Sequence, residues 1–355
     1  MAPSTPSGIE GLPRYDLPVK NSVQRSLRPL AVLALTFGAL LARQTTAWTA
    51  TTTPSASAIP LPADVIKAVQ ASSQEFQTPA TSTPSLSDSF QSFVSVNPAT
   101  SPTLSRAGCS INNNTTAVAS DFLTRCAWGD VTSTKTIFLF GDSNAAMCIP
   151  ALDTWGYLNH AKVIALTHGG CSPWSRPWMP QTAVFTANFT EKMCEAWRTN
   201  ALAKGLSANP NLVIPVGIDL LSPYVAPRSD LLASINTLIT TIGASRVAFI
   251  EPAPKFASPT IMASCVSTRP TSLNVCELQT HYLAANSVTI VLQQIASQRK
   301  VPLISTKSFF CGPTYCPIFV KMNGTNWLVY GDGFHVSFLY SQQLGKSLAI
   351  GQYLK

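Results

Sequence analysis

The chain has 355 residues, 46% of them hydrophobic and only 11% charged, with a formal charge of +8. That composition supplies a sizeable core for one large domain or two small ones and leaves the surface to Ser, Thr, Asn and Gln. The positive excess forms no dense Lys/Arg run, which argues against a nucleic-acid-binding footprint.

Residues 1–28 carry Arg14, Lys20, Arg25 and Arg28 against Glu10 and Asp16, and read as a cytoplasmic tail by the positive-inside rule. The apolar run Pro29–Ala42 follows. As a helix it would be about 21 Å long, short of a ~30 Å hydrocarbon core. Flanking Arg28 and Arg43 extend the reach of such a span by snorkelling, so residues 29–43 are read as a retained membrane anchor with everything after them extracytoplasmic. The alternative is a signal-peptide core, with Thr45 and Ala47 as the small residues before cleavage and a secreted product. Residues 44–105 are rich in Ser, Thr, Pro and Ala and nearly uncharged, which reads as an extended stalk. Within it Val65, Ile66 and Val69 recur at helical spacing and predict a short helix over Ala63–Ser73. The folded domain is placed at 106–355.

Inside that domain strands and helices alternate. Thr136–Phe140, Lys162–Leu166, Leu212–Val216, Arg246–Glu251 and Val301–Ser305 are short apolar runs that predict five buried strands. Asn144–Leu158 (with Pro150 as a bend), Leu231–Ile242, Gln279–Ser297 and Val336–Leu354 predict helices. Such alternation implies an α/β fold, three layers deep, with a mostly parallel sheet covered on both faces. In such sheets the active site lies at the carboxyl ends of the strands.

The nine cysteines point to an oxidising compartment. Eight fall into close sequence pairs, Cys109 with Cys126, Cys171 with Cys194, Cys265 with Cys276 and Cys311 with Cys316, and nearest-neighbour disulfides are expected. Cys148 is left over and reads as a small buried hydrophobe rather than a redox thiol. Without C-x-x-C, and with only four histidines, no metal site is expected.

Two short motifs carry chemistry. Gly141-Asp142-Ser143-Asn144 directly follows the first predicted strand. Its glycine permits a sharp turn, and Ser143 then stands at a helix N-terminus, where free N–H groups and the helix dipole favour a developing anion. Alone this is also an ordinary helix cap. Asp332-Gly333-Phe334-His335 opens the last predicted helix. A serine nucleophile needs a base and the base an orienting acid, and an aspartate three residues before a histidine can reach its Nδ1.

With these motifs in place, the chain resembles the SGNH (GDSL-type) hydrolase superfamily, a flavodoxin-like fold. Within it the chain is similar to the extracytoplasmic SGNH domain of bacterial membrane acyltransferases that O-acetylate O-antigen and other envelope glycans. The resemblance runs over about residues 60–355 through GDSNAAMCIPALDTWG, KVIALTHGGCSPW, the cysteine pairs, FFCGPTYCPIF and LVYGDGFHVSFLYSQQL. It implies a catalytic triad of Ser143, Asp332 and His335. It also implies an oxyanion hole from the N–H groups of Ser143 and of Gly169 or Gly170, and no cofactor; Asn144, which follows the nucleophile, reads either as an added amide donor near the oxyanion or as a residue that holds the turn. The expected partners are an envelope polysaccharide or other acyl acceptor and a membrane protein that delivers acyl groups in trans, since this chain has one apolar run where the fused relatives have many.

Two departures stand out. Asn144 replaces the usual histidine after the nucleophile. The Gly-x-Asn-Asp block is absent, and Val216-Gly217-Ile218-Asp219 stands in its place. A missing oxyanion donor costs about 3–4 kcal/mol unless replaced. Asn144, His168 or an N–H near Gly217 are the candidate replacements. His168 is read equally as a pocket residue or a loop cap. Trp155 and Trp197 are expected in the core, while Trp174 and Trp178 are left open between core and sugar stacking. Asn113, Asn114, Asn188 and Asn323 match a glycosylation sequon that matters only in a eukaryotic secretory host. Rival functions are a carbohydrate esterase or deacetylase, and a glycan-binding module without turnover.

Overall fold

Five parallel strands position the site. The computed structural model describes residues 59–85, 108–111, 115–186, 189–217, 227–255, 259–280, 287–331 and 335–354. The strands are β1 (Thr136–Gly141), β2 (Lys162–His168), β3 (Leu212–Val216), β4 (Phe249–Ile250) and β5 (Leu303–Ile304). β1 pairs in parallel with β2 on one side and β3 on the other. A Val213–Val247 bridge continues the sheet to β4, which pairs in parallel with β5. The spatial order is therefore 2-1-3-4-5, the doubly wound arrangement whose switch point lies at β1. Ile137, Phe138, Leu139 and Phe140 are fully buried, which explains the uninterrupted apolar run: helices cover both faces. The edge beyond β2 is closed by the parallel strand Ser110–Ile111 and the antiparallel strand Ala127–Gly129.

The main helices are α1 (Ser143–Leu158), α2 (Glu191–Ser207), α3 (Arg228–Ile242), α4 (Ser287–Arg299) and α5 (Phe338–Gln343). α1 runs unbroken through Pro150. α2 has no counterpart in the predicted elements: its inward face mixes the charged Glu191 and Arg198 with Cys194, Trp197, Ala201 and Gly205. Of the predicted helix over Gln279–Ser297, α4 covers the part from Ser287, residues 281–286 lie outside the described residues, and Leu278–Gln279 pairs as a strand with Tyr315–Cys316. The predicted closing helix over Val336–Leu354 is cut to α5. Gly345 follows it, packed so closely on Thr154 of α1 that a Cβ would overlap that side chain.

Residues 59–85 lie within the stretch read as stalk, yet they pack against the domain. The helix Pro62–Ser72 buries Val65 and Val69, and Ser72 Oγ accepts from the Lys321 N–H at 3.0 Å. Thr83 exchanges backbone hydrogen bonds with Asn326 and Leu328. A helix this short is marginal in isolation, so packing maintains it. Among the described residues no helix is long and apolar enough to cross a membrane. The run Pro29–Ala42, on which the anchor reading rests, lies outside them.

Disulfides join Cys109–Cys126, Cys171–Cys194, Cys265–Cys276 and Cys311–Cys316. Beside the third bridge, Glu277 is buried with its Oε1 accepting from the Ile318 N–H at 3.3 Å. Burial pushes its pKa up to about 8, with that N–H opposing the rise. The folded state therefore holds a proton that the unfolded chain releases near the ordinary glutamate value. This contribution to stability is complete below about pH 4.5 and is lost as pH rises through 8, a swing of a few kcal/mol. Glu277→Gln is expected to raise the melting temperature at pH 8.5 and leave it nearly unchanged at pH 4.5. Parallel melting curves for the two proteins across that range would contradict the assignment.

Candidate active site

The register of the sheet brings the motifs together. Gly141 of β1 lies opposite Thr167 of β2 and Val216 of β3. The segments that follow, Ser143, Gly169–Gly170 and Gly217, therefore leave the same carboxyl edge side by side. Gly141 has φ +153°, and a Cβ there would overlap the Val216 carbonyl oxygen. Only glycine makes this close passage. Asp142 then caps α1: its Oδ1 accepts from the Asn144 N–H at 2.7 Å and from Asn144 Nδ2 at 2.7 Å. One amide hydrogen of the buried Asn144 is thus spent on the turn. Ser143 becomes the first residue of the helix and is half-buried.

His335 Nε2 lies 2.8 Å from Ser143 Oγ, across 192 residues of sequence. In the neutral imidazole Ser143 donates to Nε2, and Nδ1 carries the ring proton. Asp332, Gly333 and Phe334 lie outside the described residues. The residues that flank them are held: the Gly331 N–H donates to the His335 carbonyl at 2.8 Å, and Tyr330 bridges Val336. The Val336 N–H contacts Met147 Sδ at 3.3 Å, and Ser341 Oγ donates to the Met147 carbonyl at 2.6 Å. Met147 stands one turn along α1 from Ser143, so docking of α5 on α1 fixes the distance between base and hydroxyl.

The second block forms a tight turn. The Cys171 N–H donates to the His168 carbonyl at 3.1 Å, and Gly170 has φ +76°, the signature of a type II turn. His168 is buried, its ring edge-on to Trp197 with centroids 5.4 Å apart. Its Nδ1 lies 3.0 Å from the Gly169 carbonyl. Since that oxygen only accepts, Nδ1 bears the proton. Three charged residues absent from the predicted site surround this turn. Arg176 Nη2 donates to the Gly170 carbonyl at 3.0 Å, and Arg198 Nε donates to the Ser172 carbonyl at 3.0 Å. Glu191 binds Arg176 at 2.6 Å and Arg198 at 3.0 Å. The only sequence signal for the cluster was Glu191 and Arg198 spaced two turns apart on one helix, a pattern that solvated helices share.

At the third strand, Gly217 packs so tightly on Pro173 that a Cβ would overlap it, with Ser172 Oγ and Asp142 Oδ2 next nearest. Ile218 and Asp219 lie outside the described residues. Trp155, Trp174 and Trp197 are buried, so Trp174 offers no face to a sugar, whereas Trp178 is half-buried at the core margin. Asn323 sits in a hairpin turn with φ +51°, and the other three sequon asparagines lie outside the described residues. Cys148 is unbridged and half-buried, with Sγ 3.3 Å from the Asn144 carbonyl. Burial, with the Asp142 carboxylate adding to it, pushes the thiol up to about 12, which disfavours the reactive thiolate. It lines an apolar pocket with Met147, Val216, Ile250, Phe310 and Leu344. Among the described residues no cluster of His, Cys, Asp and Glu is placed to hold a metal.

A family model described as "SGNH domain (fused to AT3 domains)" matches residues 108–349, well over half of the chain. The periplasmic domain of the Salmonella ser. Paratyphi A lipopolysaccharide acetyltransferase aligns with a TM-score of 0.52 at 16% identity, over 70% of this chain and 92% of that one. At that identity the likeness is one of fold. A lipase/acylhydrolase from Enterococcus faecalis aligns with a TM-score of 0.33 at 12% identity, over 59% of this chain and 91% of that one. No curated protein matches the chain.

Proposed function

The chain belongs to the SGNH domain family whose model is drawn from domains fused to AT3 domains, and from that premise we propose that it is an extracytoplasmic serine acyl-ester enzyme that transfers acyl groups, most simply acetyl, to a cell-envelope polysaccharide. The observation that carries the reading is the 2.8 Å contact between His335 Nε2 and Ser143 Oγ. Ser143 Oγ attacks the ester carbonyl carbon while its proton passes to His335 Nε2. Asp332 orients the imidazole through Nδ1. The N–H groups of Ser143 and of Gly170, with Gly169 as the alternative, receive the oxyanion. Collapse expels the alcohol of the donor, protonated by His335, and leaves acyl-Ser143. A sugar hydroxyl then attacks the acyl carbon, its proton goes to Nε2, and Ser143 is released. Water in place of the sugar gives an esterase.

Three further points support the transferase. The family is defined by fusion to AT3 domains, and the fold is shared with a domain named as part of a lipopolysaccharide acetyltransferase that lies in the periplasm. The disulfides suit that oxidising compartment. On this reading residues 29–43 anchor the chain, and a membrane protein supplies the acyl group in trans.

The test is a partition experiment. Full-length protein is given an aryl acetate with and without purified envelope polysaccharide, and both phenol release and polymer-bound O-acetyl are followed. The expected result is phenol release in both cases, with acetyl appearing on the polymer when it is present. Phenol release without polymer acetylation would move the esterase or deacetylase ahead. No phenol release would leave a glycan-binding module.

A further inference from the structure

We propose that His168, Arg176, Glu191 and Arg198 form a buried clamp that aims the Gly170 N–H at the acyl carbonyl oxygen, with His168 and Arg176 as its positioning residues. This rests on the reading of Ser143 as nucleophile.

In a trans peptide the carbonyl of one residue and the N–H of the next point in opposite directions within one plane. Whatever holds the Gly169 carbonyl therefore sets the direction of the Gly170 N–H, and His168 Nδ1–H holds it at 3.0 Å. Among the described residues none accepts from the Gly170 N–H. The next carbonyl, of Gly170, is held by Arg176 at 3.0 Å, and that of Ser172 by Arg198 at 3.0 Å. Between them Cys171 is bridged to Cys194 on α2. Every residue from Gly169 to Ser172 is thus fixed through a carbonyl or a covalent bond. A turn serving only as a connection needs none of this.

Energetics points the same way. Arg176 and Glu191 expose only 1% of their side chains, and burying charges costs enough that such clusters are seldom more stable than an apolar replacement. What the cluster supplies is a fixed geometry. The clamp fixes one oxyanion donor in a chain whose sequence lacks the Asn of the Gly-x-Asn-Asp block.

The test uses full-length His168→Leu and His168→Asn. Asparagine places an amide N–H where the imidazole has Nδ1, while leucine keeps the bulk without a donor. Steady-state hydrolysis of an aryl acetate and inhibition by a boronic acid that forms a tetrahedral adduct on Ser143 are measured for each. The Leu variant is expected to lose roughly 10–100-fold in kcat, with KM within about twofold, and to bind the boronate correspondingly more weakly. The Asn variant is expected to recover most of both. Should the Leu variant fail to fold, His168→Gln, whose amide reaches the Nε2 position instead, provides the same contrast with Asn. Wild-type kcat in the Leu or Gln variant, or equal losses in the Asn variant, would overturn the clamp while leaving Ser143 in place. A wild-type protein that forms no boronate adduct and hydrolyses nothing would overturn the nucleophile reading itself.

Discussion

Ser143→Ala is expected to abolish covalent labelling by a fluorophosphonate and to cut kcat/KM for an aryl acetate by on the order of 10⁴–10⁶-fold, with the thermal melt unchanged. The substitution removes one hydroxyl oxygen from the half-buried first residue of α1 and leaves the Asp142 cap intact, so the fold has little to lose. His335→Ala should lose about as much, and the double variant little more. Nucleophile and base act as one unit, and removing either ends the proton transfer that makes Oγ reactive. The residual rate of all three proteins reports what the oxyanion donors achieve alone. Labelling of Ser143→Ala at the wild-type rate, with the adduct mapped elsewhere, would remove Ser143 from the mechanism. Losses in the double variant equal to the product of the single losses would mean that the two residues act independently, against the 2.8 Å contact.

What was legible in the sequence follows from how each feature is encoded. The central strands were read closely because a strand buried on both faces must be apolar throughout, and Leu212–Val216 agrees residue for residue. β4 and β5 came out shorter than predicted, since only two residues of each form the ladder between them, while the flanking Val247 and Ala248 meet Val213 of β3 through a single bridge. The Ser143 and His335 motifs were visible because strand, turn chemistry and helix start coincide there. The clamp was not visible. Arg176, Glu191 and Arg198 look like surface charges in any window, and only the fold reveals that the Cys171–Cys194 bridge draws α2 over the turn after β2. The same burial of charge obscured α2 itself, since Glu191 and Arg198 interrupt the face formed by Cys194, Trp197, Ala201 and Gly205. The packed strap of residues 59–85 was hidden by its Ser, Thr and Pro content, although Val65 and Val69 already marked one buried face.

The second large effect concerns structure rather than chemistry. Gly141→Ala is expected to destabilise the domain by roughly 4 kcal/mol or more, the range reserved for substitutions that force backbone apart. The added methyl would overlap the Val216 carbonyl oxygen, a backbone atom that cannot rotate away, and φ +153° is poorly tolerated by a residue with a Cβ. Relief requires β1 and β3 to separate at their carboxyl ends, where the Asp142 N–H also donates to the Val216 carbonyl at 3.3 Å. That movement would distort the β1–α1 turn that carries Ser143, two residues on, while His335 is held one turn further along α1 by the packing of α5 on Met147. Gly141→Ala should therefore lower the melting temperature by about 10 °C or more and lose activity together, whereas Ser143→Ala loses activity alone. Differential scanning calorimetry of the two variants beside wild type separates the cases. A Gly141→Ala protein that melts like wild type and still hydrolyses aryl acetate would show that β1 and β3 do not approach this closely, and with that the physical reason for a glycine before the nucleophile would be gone.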